Sequence, residues 1–567
     1  MTISNIESIR VDDIPLLLAM MAEMKIQAKI DEEIKVHGLW QGCSVGTIVV
    51  VWLCYMLTEH DHRLEPVRGW VDERRKLFER LLGIDLRETD FTDDRLANVL
   101  SMVGLAQKQV QIDQKMGADW ITMYELPTEV TRYDSTTISV YHEADEDGII
   151  GYGHSKDHRP DLAQFKVMLS SLDMGMPLTC QVVNGKRADD GLYVPAYDQV
   201  VGVVGHRRFL AVGDSKMAAW ETRSHLAVGG SWYLCPYRDP AAKGEKTADW
   251  IETALDQPAA WQSVRQVDEQ TGQVKTIAQV YHWSRHQEAF DQDDQLVGWQ
   301  ERVLVTRSTA LQQGLITRRE RGEQKLYQAL DKLSLPPGRG RKRYHTEAEL
   351  RQVVDPLLKK YHLSDVVSVT LSAQPHQDGG QRWVVSDYQR DPDAWQAMVD
   401  RLGWQIYLTN VPETDYDVAQ IIHTYRRQPN LERSISRLKS RNLHIRPVFL
   451  KDQQRISGLT WLLTLALRII VLTEFRIRRE LHQRDQAIFG LKPGAPNSAT
   501  IRPTTERILN VFGNITWSIL TLDDTRHSHL TPLTDTQSHV LDLLGLSTDI
   551  YTNLSSHHPK PLFHLRE

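Results

Sequence analysis

The sequence predicts an α/β protein, a mixed-direction sheet flanked by helices, with a helical N-terminal segment before it and a β-rich block interrupting it. Three observations carry this prediction. A β-branched and aromatic run, Val130 to Tyr141, opens a series of strand-like segments. Those strands alternate with short helical patterns, the mark of a sheet with helices on its faces. After a long block of different character, Trp404 to Thr409 (WQIYLT) reads as a strand again and leads into helices.

Residues 1–120 carry apolar residues at mixed spacing (Asp12 to Ile30, Val45 to Leu57) and at spacings of three and four (Arg68 to Leu86, Asp93 to Gln114). They read as a helical N-terminal domain, suited to DNA binding, dimerisation or packing. Residues 125–235 form the first part of the core. In order they give the Val130 strand, a polar Gly/His loop, strands Gln164 to Leu172 and Met176 to Val183, and a helix Tyr197 to Val204. Strand Arg208 to Val212 and helix Met217 to His225 follow, and Trp232 to Tyr237 ends this part as a further strand. Residues 236–400 read as an inserted domain, β-rich (Val274 to Trp283, Trp299 to Thr306, Val366 to Leu371, Gln381 to Ser386). It also holds a charged helix, Arg318 to Leu333, and a Pro/Gly/basic loop, LPPGRGRKRYH. Residues 401–490 resume the core with a helix from about Asp415 to Ser440, broken at Pro429, and with Arg-rich apolar helices beyond it. Residues 491–567 are a C-terminal region mixing Thr, Pro and His, with one apolar helix near Val540.

Composition sets limits. The 567 residues are 41% hydrophobic and 25% charged, as in ordinary globular proteins. The four cysteines, Cys43, Cys54, Cys180 and Cys235, lack CxxC spacing, which argues against a zinc site or a disulfide scaffold and for a reducing cytoplasm. The first residues lack the pattern of a secretory signal. Val45 to Leu57 is too short to span a bilayer, and Leu459 to Leu472 is interrupted by Arg468. Both read as buried helices, and no membrane partner is expected. The net charge of −7 argues weakly against nucleic acid, but a local basic patch is the more telling footprint.

Three carboxylates stand out. Asp134 lies inside a strand, where a carboxylate is costly unless it is paired or holds a cation. Pairing with Arg132, or a hydroxyl cap, would explain it without function. Asp214 follows the strand RFLAVG, and Glu432 lies on the helix after WQIYLT. Acids at the carboxyl ends of strands stand where open α/β sheets place ligands. Three of them, converging, would suit two hard divalent cations and phosphodiester displacement. On a continuous helix Tyr425, Gln428, Glu432 and Lys439 would fall within about 60° of one another. From Tyr425 to Arg446 seven basic residues (Arg426, Arg427, Arg433, Arg437, Lys439, Arg441, Arg446) accompany a single acid, Glu432. A basic face around one acid suits a metal ligand beside a phosphate backbone.

With these residues in view, the chain resembles DDE transposases of bacterial insertion sequences. It is most similar to the branch with a Tyr–x2–Arg–x3–Glu–x6–Lys pattern and a core split by a β-rich insertion. YDSTT supplies Asp134, AVGDSK supplies Asp214, and YRRQPNLERSISRLK supplies Tyr425, Glu432 and Lys439. The pattern's Arg position holds Gln428, and a position commonly aromatic holds Pro429, so either Arg426 or Arg427 would take the phosphate contact or that contact would be weakened. The resemblance implies an RNase H-like core and catalytic, metal-binding roles for Asp134, Asp214 and Glu432 with two Mg²⁺, or Mn²⁺, ions. It implies DNA contacts from Tyr425, Arg426, Arg427, Lys439 and Lys216. It further implies double-stranded DNA partners (element ends and target), a homodimer on DNA, and cleavage followed by strand transfer. Trp283 or Trp299 of the insertion could stack a flipped base or simply pack. His154 and Asp157 could orient water or DNA, or serve only loop solubility. A two-metal nuclease that does not join strands, a decayed DNA-binding derivative, and an unrelated α/β protein with chance acids are the alternatives.

Overall fold

The computed structural model describes residues 3–145, 148–157, 159–238, 247–268, 272–335, 342–375, 380–440, 443–522 and 525–556. Most of the Pro/Gly/basic loop, 336–341, and Arg441 of the basic segment lie outside them. The chain divides into two compact units. One is Met1–Tyr233, Phe290–Gln295 and Tyr425–Glu567, and the other is Leu234–Ala289 and Leu296–Thr424.

The first unit opens with a strand, β1 (Ile3–Arg10), and not a helix. Seven helices follow: α1 (Ile14–Glu23), α2 (Ile26–Glu33), α3 (Val45–Glu59), α4 (Glu65–Glu73), α5 (Arg75–Leu82), α6 (Asp93–Val103) and α7 (Ala106–Met123). The apolar run in α3 is buried on all sides from Val45 to Leu57, and the Ser44 hydroxyl caps it by accepting from the Thr47 N–H.

The sheet comes next: β2 (Val130–Val140), β3 (Ala163–Leu172), β4 (Pro177–Asn184), α8 (Tyr193–Val204), β5 (Leu210–Val212), α9 (Trp220–Val228) and β6 (Trp232–Tyr237). β2 runs antiparallel to β3 and parallel to β5, and β3 is antiparallel to β4. β6 begins beside β5, where the Trp232 N–H donates to the Phe209 carbonyl at 3.1 Å. The order β4-β3-β2-β5-β6, antiparallel from β4 to β2 and parallel between β2 and β5, is that of an RNase H-like sheet. β3 is buried throughout, and in β2 only Asp134 is partly exposed, because helices cover both faces.

The second unit contains α10 (Thr247–Leu255), β7 (Gln262–Val267), β8 (Val274–Phe290), β9 (Leu296–Ser308), α11 (Thr309–Ser334), α12 (Glu347–Tyr361), β10 (Val367–Pro375), β11 (Gln381–Arg390), α13 (Pro392–Asp400), β12 (Trp404–Thr409) and α14 (Val418–Tyr425). Its strands follow the order β6-β12-β9-β8-β7, with β12 antiparallel to both neighbours. The β10–β11 hairpin closes a small core of its own with α11 and α12, centred on Leu326, Leu330, Leu350 and Val354. The block between 236 and 400 is thus mixed helix and strand. Its helix α12 continues through an internal Pro356, a residue type that ordinarily kinks or ends a helix.

The chain re-enters the first unit through α15 (Pro429–Lys439), α16 (Gln453–Gln483), α17 (Thr505–Asn510), β13 (Thr516–Leu522), β14 (Thr525–Leu530), α18 (Asp535–Leu543) and α19 (Asp549–Thr552). By length and composition α16 could cross a membrane, but its apolar window is almost wholly buried within the protein. Arg468 does not expose it. The guanidinium donates to Asp113 at 2.6 Å and to the Pro177 and Leu178 carbonyls at 3.0 and 2.8 Å. β13 pairs antiparallel with β1 on one side and β14 on the other. The C-terminal region, read as a mix of Thr, Pro and His with one apolar helix, therefore shares a three-stranded sheet with β1.

Candidate active site

The site is built first by the register between β2 and β5. The last parallel pair is Arg132 with Val212. Two residues further along each chain come Asp134 and Asp214. β5 stops there because the chain turns at Gly213, and the Asp214 carbonyl accepts from the Met217 N–H at 3.1 Å. Neighbouring strands lie about 4.8 Å apart, so the two acids leave adjacent strands at matching heights.

Glu432 is held over the same strand by the ends of its helix. On β2, Arg132, Asp134 and Thr136 alternate onto one face. Arg132 Nη1 donates to Gln428 Oε1 at 3.1 Å, just before α15 begins, and Lys439 Nζ donates to Thr136 Oγ1 at 3.1 Å at its end. Strand and helix thus run alongside each other, tethered on either side of Asp134. Glu432 lies about 6 Å along the helix from Gln428, and Asp134 about 7 Å along the strand from Arg132. Glu432 is exposed.

The electrostatics agree. The Asp134 carboxyl is pushed up from 3.8 to about 6, first by burial and further by the charges of Asp214 and Glu432, against the opposing pull of Lys156. Lys156 Nζ stands 3.6 Å from Asp134 and 3.7 Å from Asp189, and it donates to the Ser135 carbonyl and hydroxyl at 2.5 and 2.9 Å. Asp214 is oriented at one oxygen only. Its Oδ1 accepts from the buried Tyr193 hydroxyl at 2.6 Å and from the Lys216 N–H at 2.8 Å.

The alternative reading, in which Arg132 pairs with Asp134, meets a different carboxylate beside that guanidinium. Arg132 is fully buried and gives its Nε and Nη2 to Asp173 Oδ1 at 2.8 and 2.6 Å. The other oxygen of Asp173 holds Arg427 Nη1 at 2.9 Å, with the Arg427 side chain 61% exposed. Tyr425 ends α14, and a turn over 426–428 separates it from α15, so it does not share one continuous helix with Glu432. Lys439 is committed to Thr136 and to Asp157 Oδ1 at 2.6 Å, and Asp157 Oδ2 takes Arg446 at 2.9 Å. Asp157 therefore ties α15 to the loop that follows it, whereas His154 is exposed. Arg426 is half-buried, and Lys216 is exposed beside Asp214. In the second unit Trp283 packs on Trp250 and Tyr281 with centroids 5.8 and 5.7 Å apart, and Trp299 is half-buried. Lys156 and Tyr193 escaped the sequence reading. Only Lys156 left a hint, as one of two cations, with Arg159, in the loop after β2.

Three carboxylates against one ammonium form a donor set of hard oxygens with excess negative charge, which fits a divalent cation. Among the described residues, however, no three acid, His or Cys side chains stand close enough to ligate one ion together. The donor chemistry fits while the ligand shell is not closed.

No curated protein matches the chain. A family model described as a transposase DDE domain matches residues 125–469, more than half of the chain and the whole span from β2 through the buried half of α16. The chain therefore belongs to the DDE transposase family, enzymes of mobile DNA elements whose partner is DNA and whose phosphoryl-transfer chemistry depends in general on divalent metal.

Proposed function

We propose that the protein binds the terminal repeats of its own insertion sequence, cleaves DNA there and joins the freed 3′-hydroxyls to target DNA. Asp134, Asp214 and Glu432 would hold one or two Mg²⁺ ions. The observation that carries this reading is the matched register of Asp134 and Asp214 with Glu432 tethered alongside. Bound divalent ions would activate the attacking oxygen and neutralise the leaving one.

The chain's own residues set up the rest. Tyr193 fixes Asp214 by one oxygen, and the other would be the one offered to a metal. Lys156 balances part of the acid charge at Asp134 and is the group that an incoming cation would displace. Arg427, anchored through Asp173, presents an exposed guanidinium one residue before the Gln428 tether. It suits the phosphate contact that Gln428 itself cannot make. Tyr425, Arg426, Lys439 and Lys216 complete a basic rim, Lys439 on release from Asp157. Two copies on paired ends, with no membrane, complete the picture.

The test is incubation of the purified chain with a labelled element end, a target plasmid and Mg²⁺. Nicked ends and joined products are expected, and neither should form with Asp134→Asn, Asp214→Asn or Glu432→Gln. Nicks without joined products would reduce the function to that of a nuclease.

A further inference from the structure

A second basic surface lies on the first unit, away from the acids. α15, α16 and the loop between β3 and β4 enclose an open cleft of about 470 Å³. Its floor is fixed by α15, since the Asn430 amide donates to the Asp173 carbonyl at 2.9 Å and the Ser434 hydroxyl to the Gly175 carbonyl at 2.7 Å. Its walls carry Arg433, Arg437, Arg478 and Arg479, and among the described residues the only lining carboxylate is Glu474.

Glu474 is already shared. It pairs with Arg437 and, at 3.0 Å, with Arg478, and Glu506 adds a second carboxylate to Arg437 at 3.0 Å. Arg433 and Arg479 have no carboxylate partner among the described residues. Arg479 spends one nitrogen on the Tyr124 carbonyl at 2.7 Å, while its Nε is buried without a hydrogen bond. Burial and the neighbouring guanidiniums Arg437, Arg433 and Arg502, against the pull of Glu474, leave Arg478 below its ordinary range.

We propose that this cleft is a second DNA contact, a seat for backbone phosphates of duplex DNA. Resting on the DNA-cleaving reading above, it extends the bound surface from the acid face of α15 round to its other side. Arg433 is the immediate neighbour of Glu432, so a duplex engaged at the acids has the cleft within one residue's turn of the helix. Guanidiniums in a cleft with surplus positive charge form charge-assisted, bidentate contacts to phosphate, and such binding reads no sequence.

The test is fluorescence anisotropy of a labelled duplex of arbitrary sequence, titrated with the full chain across a salt series. Arg433→Gln and Arg433→Glu should weaken binding at low salt, by roughly tenfold for the charge reversal. Each should flatten the slope of log affinity against log salt by about 0.9 for every phosphate no longer neutralised. Arg479→Gln, with the unfolding midpoint as a check, should flatten it by a similar step. Unchanged affinity and slope in Arg433→Glu and Arg479→Gln overturn the cleft while leaving the acid site standing. Failure of the wild-type chain to bind duplex at all overturns both readings.

Discussion

Two largely buried carboxylates in the same unit have opposite surroundings. Asp113 on α7 is closed in. It accepts from Arg468 at 2.6 Å and from the Trp461 indole at 2.9 Å, and the remaining donors of that guanidinium are met by strand carbonyls. Asp134 has one ammonium at 3.6 Å, while two further acids press on it with like charge. The first arrangement satisfies every group and joins α7, α16 and β4. The second leaves negative charge that the chain does not neutralise. A buried acid that is fully matched serves the fold, and one left short of cations marks where a cation from outside would be held.

The contrast can be broken by experiment. The largest effect belongs to Asp134→Asn, Asp214→Asn and Glu432→Gln, each of which should lower metal-dependent cleavage by more than about a hundredfold, beyond the usual loss for a residue that only orients a ligand. Activity retained in any one removes that residue from the site. Asp113→Asn should do the reverse. It should cost about 3–5 kcal/mol in urea unfolding, because Arg468 is stranded inside the protein. A loss below about 1 kcal/mol would show that the pair is replaceable and the contrast too sharply drawn.

A subtler test uses pH. With the Asp134 carboxyl raised to about 6, the folded chain keeps a proton between roughly pH 4 and 6 that the unfolded chain has released. Stability therefore falls as pH rises through that window. In the presence of chelator, Asp134→Asn should be more stable than wild type by on the order of 2 kcal/mol at pH 7, with the gap closing towards pH 4. A gap that does not change with pH would mean that the acids are compensated in some other way. The smallest effect is that of Tyr193→Phe, which removes one donor from Asp214. It should weaken Mn²⁺ binding about tenfold in calorimetry with little change in unfolding, and unaltered affinity would assign the hydroxyl to packing alone.

The elements that carry the three acids were legible because each has a strong local pattern. Those are the β-branched run around Asp134, the apolar RFLAV before Asp214, and the basic helix around Glu432. The break at Pro429 was legible for the same reason, since proline leaves few options. What stayed hidden depends on distant partners. Arg132 sits two residues from Asp134, and the sequence invites pairing them. Neighbours on one strand face stand about 7 Å apart, however, and the guanidinium reaches Asp173 on the next connection instead. Nothing local in the loop after β2 says that Lys156 turns back to Asp134. β1 is a short polar strand whose partner, β13, lies at the far end of the chain, so the N-terminal pattern alone gives no reason to expect a strand.

That pairing of β1 with β13 bears on the order in which the parts are made. A ribosome releases Asp134 roughly 300 residues before Glu432, an interval of about 15–60 s at ordinary rates of synthesis. β13 emerges later still. A chain synthesised only as far as β12 would therefore hold two of the three acids proposed for the site and lack the strand that pairs with β1.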